Sequence, residues 1–125
     1  MNLTIKTTNM SLTPAIADYL EKKLKMIRGV DLEAGNVHLH AELGKTSQHH
    51  KSGDYFKAEI KASIGGHNIF AVSETDDLYA AIDLAKDTLA HEIHKTFEKR
   101  NSMFRRGARR IKNMLRFGRR GKNMQ

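Results

Sequence analysis

The chain has 125 residues, with 22 Lys and Arg against 14 Asp and Glu, for a formal charge of +8. It has no Cys, which excludes disulfides, thiolate metal sites and cysteine nucleophiles. No stretch approaches the roughly 18 apolar residues of a membrane span, and Met1 to Thr8 lacks the basic start and apolar run of a signal peptide, so a cytoplasmic protein is expected.

Leu3 and Ile5 alternate with Thr4 and Lys6, which predicts a strand over residues 2–8. Thr13-Pro14 then reads as a helix N-cap followed by a first helical position, where a missing N–H costs nothing. Ile16, Leu20, Leu24 and Ile27 recur at spacings of four, four and three. This apolar stripe predicts a helix ending near Arg28-Gly29. Val37, Leu39, Ala41 and Leu43 alternate with Asn36, His38, His40 and Glu42, giving a strand with one wet face. Residues 44–53 are polar and read as a loop.

Phe56, Ala58, Ile60, Ala62 and Ile64 alternate with Lys57, Glu59, Lys61 and Ser63 as another strand. Gly65-Gly66 is a two-residue hairpin signal, and residues 67–73 form the returning strand. Thr75, Asp76 and Asp77 cap a long helix whose stripe is Leu78, Ile82, Ala85, Leu89, Ile93 and Phe97, ending near Arg100. The order is β-α-β-β-β-α. The fold class expected is α+β, a four-stranded sheet wet on one side and covered by both helices on the other.

Charge is divided unevenly. Nine of the 22 basic side chains fall in residues 101–125, which contain no Asp or Glu. Residues 1–100 therefore hold 13 basic and 14 acidic side chains and are close to neutral. Two regions are expected, a folded domain over 1–100 and a flexible basic tail over 101–125, since unbalanced charge and Gly107, Gly118 and Gly121 oppose folding alone. Phe104, Ala108, Ile111 and Leu115 nevertheless have helical spacing, so the tail can become a basic amphipathic helix on a partner. So basic a segment calls for a polyanion, either nucleic acid or an anionic membrane.

Within the domain, Lys22, Lys23, Lys25 and Arg28 cluster at the end of the first helix. Lys23 falls near the apolar face and must reach out along its stem. On the second helix Thr88, His91, Lys95 and Lys99 follow at spacings of three, four and four, forming one ridge. The plain alternative is a solvated face whose cations favour helix C-termini. His91-Glu92-Ile93-His94 looks like a zinc protease motif but places its histidines at i and i+3 instead of i and i+4, so no metal is expected. His38 and His40 share a strand face, where a weak chelate and an ordinary polar face are both open. His49 and His50 in the loop are unassigned. Asp76, Asp77, Asp83 and Asp87 read as cap, dipole partners and exposed helix residues. No nucleophile–base arrangement, phosphate loop or carboxylate dyad stands out, so no enzyme and no cofactor are expected.

The element order, the helix start Leu12-Thr13-Pro14-Ala15-Ile16 and the stretch Asp77-Leu78-Tyr79-Ala80-Ala81-Ile82-Asp83 together resemble the ribosome hibernation-promoting factor / ribosome-associated inhibitor family, in its short form, over residues 1–100. The resemblance implies a sheet and helices akin to the double-stranded RNA-binding domain. It also implies a stress factor that binds the small ribosomal subunit and its ribosomal RNA, in the channel used by messenger and transfer RNAs. Lys23, Lys95 and Lys99 match basic positions of the family. His91 stands where the family usually has Arg, Thr88 where it usually has Lys, and Met26 replaces a common Lys. The expected RNA contacts are Lys22, Lys23, Lys25, Arg28, His91, Lys95 and Lys99, with Arg105, Arg106, Arg109, Arg110 and Arg116 of the tail compensating for charge missing from the domain. A monomer off the ribosome is expected, without the long form's dimerisation domain. The alternatives are a generic structured-RNA-binding module and, from another class, a membrane-surface protein held by the tail.

Overall fold

The computed structural model describes the backbone of residues 2–46 and 53–114 and the side chains of residues 2–46 and 53–98. Six elements follow in the expected order: β1 (Leu3–Thr8), α1 (Pro14–Lys25), β2 (Val37–Thr46), β3 (Tyr55–Ile64), β4 (His67–Thr75) and α2 (Leu78–Met114). The sheet order is β1-β2-β3-β4. The β1/β2 pair is parallel, with Leu3 beside Leu39, while β2/β3 and β3/β4 are antiparallel. The parallel pair is possible because α1 and its following loop carry the chain back between β1 and β2.

Local chemistry explains the element boundaries. The Thr13 hydroxyl accepts from the Ile16 N–H at 3.2 Å, and Pro14 opens α1 at a position needing no donor. Gly65 and Gly66 have φ of 55° and 84°, the pair of positive values a tight hairpin turn demands. At the head of α2 the cap is Asp77, not Thr75: its carboxylate accepts from the Ala80 N–H at 2.9 Å. Thr75 instead accepts from the Asp77 N–H and so sets the turn before the helix.

Strict alternation decides the layers. Val37, Leu39, Ala41 and Leu43 of β2 are buried, as are Ala58, Ile60, Ala62 and Ile64 of β3 and Ile69 and Ala71 of β4. Leu20 and Leu24 of α1, and Leu78, Ile82, Ala85, Leu89 and Ile93 of α2, complete one core on that side of the sheet. Completely burying the Val, Leu and Ile side chains of this core stabilises by about 1.5–3 kcal/mol each. Among the described residues no polar or charged residue is buried. The other face of the sheet lies open.

Several boundaries differ from expectation: α1 ends at Lys25, so Arg28 lies beyond the helix, and β4 continues to Thr75. β2 runs to Thr46 because Lys45 and Thr46 still pair with Phe56 and Tyr55; the expected loop begins later, and residues 47–52 lie outside the described ones. The backbone of α2 stays helical to Met114 instead of stopping near Arg100. The four- and three-residue spacing of Phe104, Ala108 and Ile111 suits a helix, and one interior glycine, Gly107, costs only about 1 kcal/mol. The expected flexible tail thus falls on helical backbone as far as Met114, and residues 115–125 lie outside the described ones. The chain divides into two compact units, residues 1–93 and 94–125.

Candidate nucleic-acid interface

The last turn of α1 carries Lys22, Lys23 and Lys25, cations placed where the helix dipole favours them. Their surroundings differ sharply. Lys22 and Arg28 are exposed, and among the described residues no side-chain hydrogen bond or ion pair engages either. Lys25 pairs with Glu21 one turn back at 2.9 Å. That hydrogen bond and charge raise the Lys25 pKa. Lys23 is half-buried and turns to α2, where its ammonium lies 3.5 Å from Asp83 Oδ1 and 5.3 Å from the centre of the Tyr19 ring.

Lys23 belongs to a cluster that sequence reasoning missed. The Tyr19 hydroxyl donates to Asp83 Oδ1 at 2.7 Å, and the Tyr19 and Tyr79 rings meet edge to face with centroids 4.8 Å apart. The hydrogen bond to Asp83, then burial, then nearby negative charge push the Tyr19 pKa from 10.0 up to about 12. Asp83 is therefore not the plain exposed helix residue expected, because it ties α1 to α2. The partners are 64 residues apart in sequence, and no local spacing reveals them.

On α2, Thr88 and His91 are exposed, and within the described residues no side-chain hydrogen bond or ion pair engages His91. Eight residues of helix separate Asp83 from His91, about 12 Å along the axis. Lys23, held at Asp83, and His91 therefore stand apart and form no single cluster. In the second unit Lys95 is exposed, and His94 Nε2 lies 2.8 Å from Glu98. Among the described residues there is no group of three or more His, Cys, Asp or Glu able to hold a metal ion. Arg105, Arg106, Arg109 and Arg110 fall on helical backbone; the side chains of these arginines and of Lys99, and all of Arg116, His49 and His50, lie outside what is described.

The open sheet face carries a second set of polar groups. His38, His40, Lys61, Ser63, Asn68 and Phe70 line a shallow groove of about 420 Å³. Phe70 is 49% exposed and Val72 45%, since period-2 alternation sends Ile69 and Ala71 to the core and these two to the opposite side.

A four-stranded mixed sheet, one parallel pair at β1/β2 and two helices on one side define an α+β domain with a polar, uncovered face. The chain belongs to the family described as Sigma 54 modulation protein / S30EA ribosomal protein, whose model matches residues 3–101. It is 33% identical over 100 residues to the ribosome hibernation promotion factor of Picosynechococcus sp., covering 79% of this chain and 50% of that one. It thus spans half the length of that relative. With the ribosome hibernation promoting factor of Pseudomonas putida it shares 28% identity over 88% of this chain and 100% of that one. With the ribosome-associated factor Y of Haemophilus influenzae it shares 30% identity over 90% and 95%. The crystal structure of the Thermus thermophilus Protein Y N-terminal domain matches 77% of this chain and 99% of its own, with 29% identity and a TM-score of 0.58. Among the described residues no helix is long and apolar enough to cross a membrane.

Proposed function

We propose that this chain is a ribosome-associated hibernation factor that silences translation by occupying the small-subunit channel where messenger and transfer RNAs would sit. The observation that carries the reading is the family match over residues 3–101, which takes in the sheet, α1 and α2 as far as residue 101, with relatives named as ribosome hibernation factors. The chemistry required is modest. Phosphate contacts fix position and need not read bases, and folded RNA is recognised largely by backbone and shape. Lys22 and Arg28 offer unengaged cations, Lys23 and Lys25 offer cations shared with Asp83 and Glu21, His91 adds a polar contact in the same unit, and Lys95 and Lys99 are basic positions of the second unit. The arginines of 101–125 supply charge that no acidic residue in that segment offsets. Silencing then needs no catalytic group, because occupancy alone excludes the other RNAs.

The test is co-sedimentation with ribosomes at low and near-physiological salt, using the full chain and a form ending at residue 100, alongside cell-free translation. Stoichiometric pelleting of both forms, with the shorter one lost as salt rises and with translation falling, supports the reading. Free structured RNA bound as well as intact ribosomes, or pelleting with vesicles of anionic lipid but not with ribosomes, overturns it.

A further inference from the structure

The groove on the open sheet face has no part in the contacts proposed above, and its lining is chemically selective. In the sheet register Phe70 lies beside Lys61, and Lys61 beside His40; one row along, Asn68 lies beside Ser63, and Ser63 beside His38. An aromatic ring, a lysine and a histidine therefore stand side by side across three strands, with neighbouring strands about 4.8 Å apart. No carboxylate lines the groove. The two acids next along the same face are already engaged. Glu42 accepts from the Thr8 hydroxyl at 3.0 Å, and Glu59 pairs with Lys57 at 3.2 Å. Among the described residues no side-chain hydrogen bond or ion pair engages Lys61, His38, His40 or Asn68.

We infer that this face is a second RNA-binding site, one that takes a short unpaired strand with a base stacked on Phe70 and the adjoining phosphate over Lys61 and His40. Phe70 is half-exposed, although its ring could gain by burial, and an exposed aromatic on a sheet is a surface on which any base can stack. Lys61 supplies a charge that no acid in the groove offsets. Ser63 and Asn68 offer donors and acceptors to a base edge, which suits unpaired RNA, whose bases are free to splay. An acidic peptide would match Lys61 but leave Phe70 and the amide of Asn68 without their best partners. A lipid surface would want more apolar area than Phe70 and Val72 present.

The inference does not rest on the ribosome reading, because its test uses isolated oligonucleotides. Full-length ¹⁵N-labelled chain is titrated with a labelled unpaired RNA hexamer and, separately, with AMP, reading amide shifts and fluorescence anisotropy. The expected result is amide shifts over β2, β3 and β4 around His40, Lys61 and Phe70. Phe70→Ala should weaken hexamer binding roughly five- to a hundred-fold, and Lys61→Gln should reduce its salt slope by about 0.7. Both side chains are solvent-facing, so unchanged melting temperatures show that the variants fold. Shifts confined to α1, α2 and 101–125, with Phe70→Ala binding like the parent chain, overturn the site. AMP binding as tightly as the hexamer overturns the assignment to a strand in favour of a free nucleotide. Concentration-dependent dimerisation abolished by Phe70→Ala assigns the face to a second copy of the chain and likewise overturns it.

Discussion

Lys23 on α1 and Lys61 on β3 lie on opposite sides of the same sheet and differ in what their charge already does. Lys23 is anchored by Asp83 and the Tyr19 ring, so an incoming phosphate must compete with a carboxylate for it. Lys61 has no such competitor among the described residues. Lys25 resembles Lys23 in being paired, and Lys22 and Arg28 resemble Lys61. The number of basic residues on a face is therefore a poor guide to its affinity for RNA. What counts is how many are not already spent on a neighbouring acid.

The arginines of 101–125 stand at one extreme of local composition, in a segment with no Asp or Glu, and replacing them gives the largest expected effect. With Arg105, Arg106, Arg109 and Arg110 changed together to Gln, the slope of log K against log salt for ribosome binding should become shallower by about 3. Filter binding over a salt series checks this, and an unchanged slope removes the segment from the interface. Asp83→Asn acts on the opposite extreme. It weakens the Tyr19 hydrogen bond and releases Lys23, so stability should fall by about 1–2 kcal/mol. RNA affinity should rise a few-fold as the competing carboxylate disappears. Urea denaturation and anisotropy read the two effects; loss of both stability and affinity would show that Asp83 serves only the fold.

The same cluster has a spectroscopic signature. Tyr19 should ionise near pH 12 in the tyrosinate absorbance. Its folded pKa lies above the ordinary value, so its contribution to stability is whole below pH 10 and is lost as the pH rises from 10 through about 12. Asp83→Asn should return Tyr19 toward 10. The smallest effect belongs to Glu21→Gln, which frees Lys25 from a solvent-exposed pair of the kind that contributes little to stability. Its melting temperature should barely move, while RNA binding at low salt strengthens slightly.

These contrasts also mark where the sequence speaks and where it falls silent. Alternation along 37–43 and 56–64 is a local property of each strand, and it correctly assigns the core face and the wet face. The stripe from Ile16 to Ile27 and the signal at Thr13-Pro14 likewise place α1. The Tyr19–Asp83–Lys23 cluster was hidden, because it exists only once two helices distant in sequence pack on one sheet. The end of α2 was misplaced because charge was weighed above the helical spacing of Phe104, Ala108 and Ile111. Phe70 and Val72 were legible in principle. Period 2 along residues 67–73 sends Phe70 and Val72 to water once Ile69 and Ala71 face the core.

Competition on the small ribosomal subunit tests the central claim most directly. Labelled messenger and initiator transfer RNA are bound to small subunits, and the full chain is added at near-physiological salt. Occupancy of the channel predicts their progressive displacement, one chain per subunit, with the same effective concentration for both. Simultaneous stoichiometric binding of the chain and both RNAs to the same subunit would contradict it.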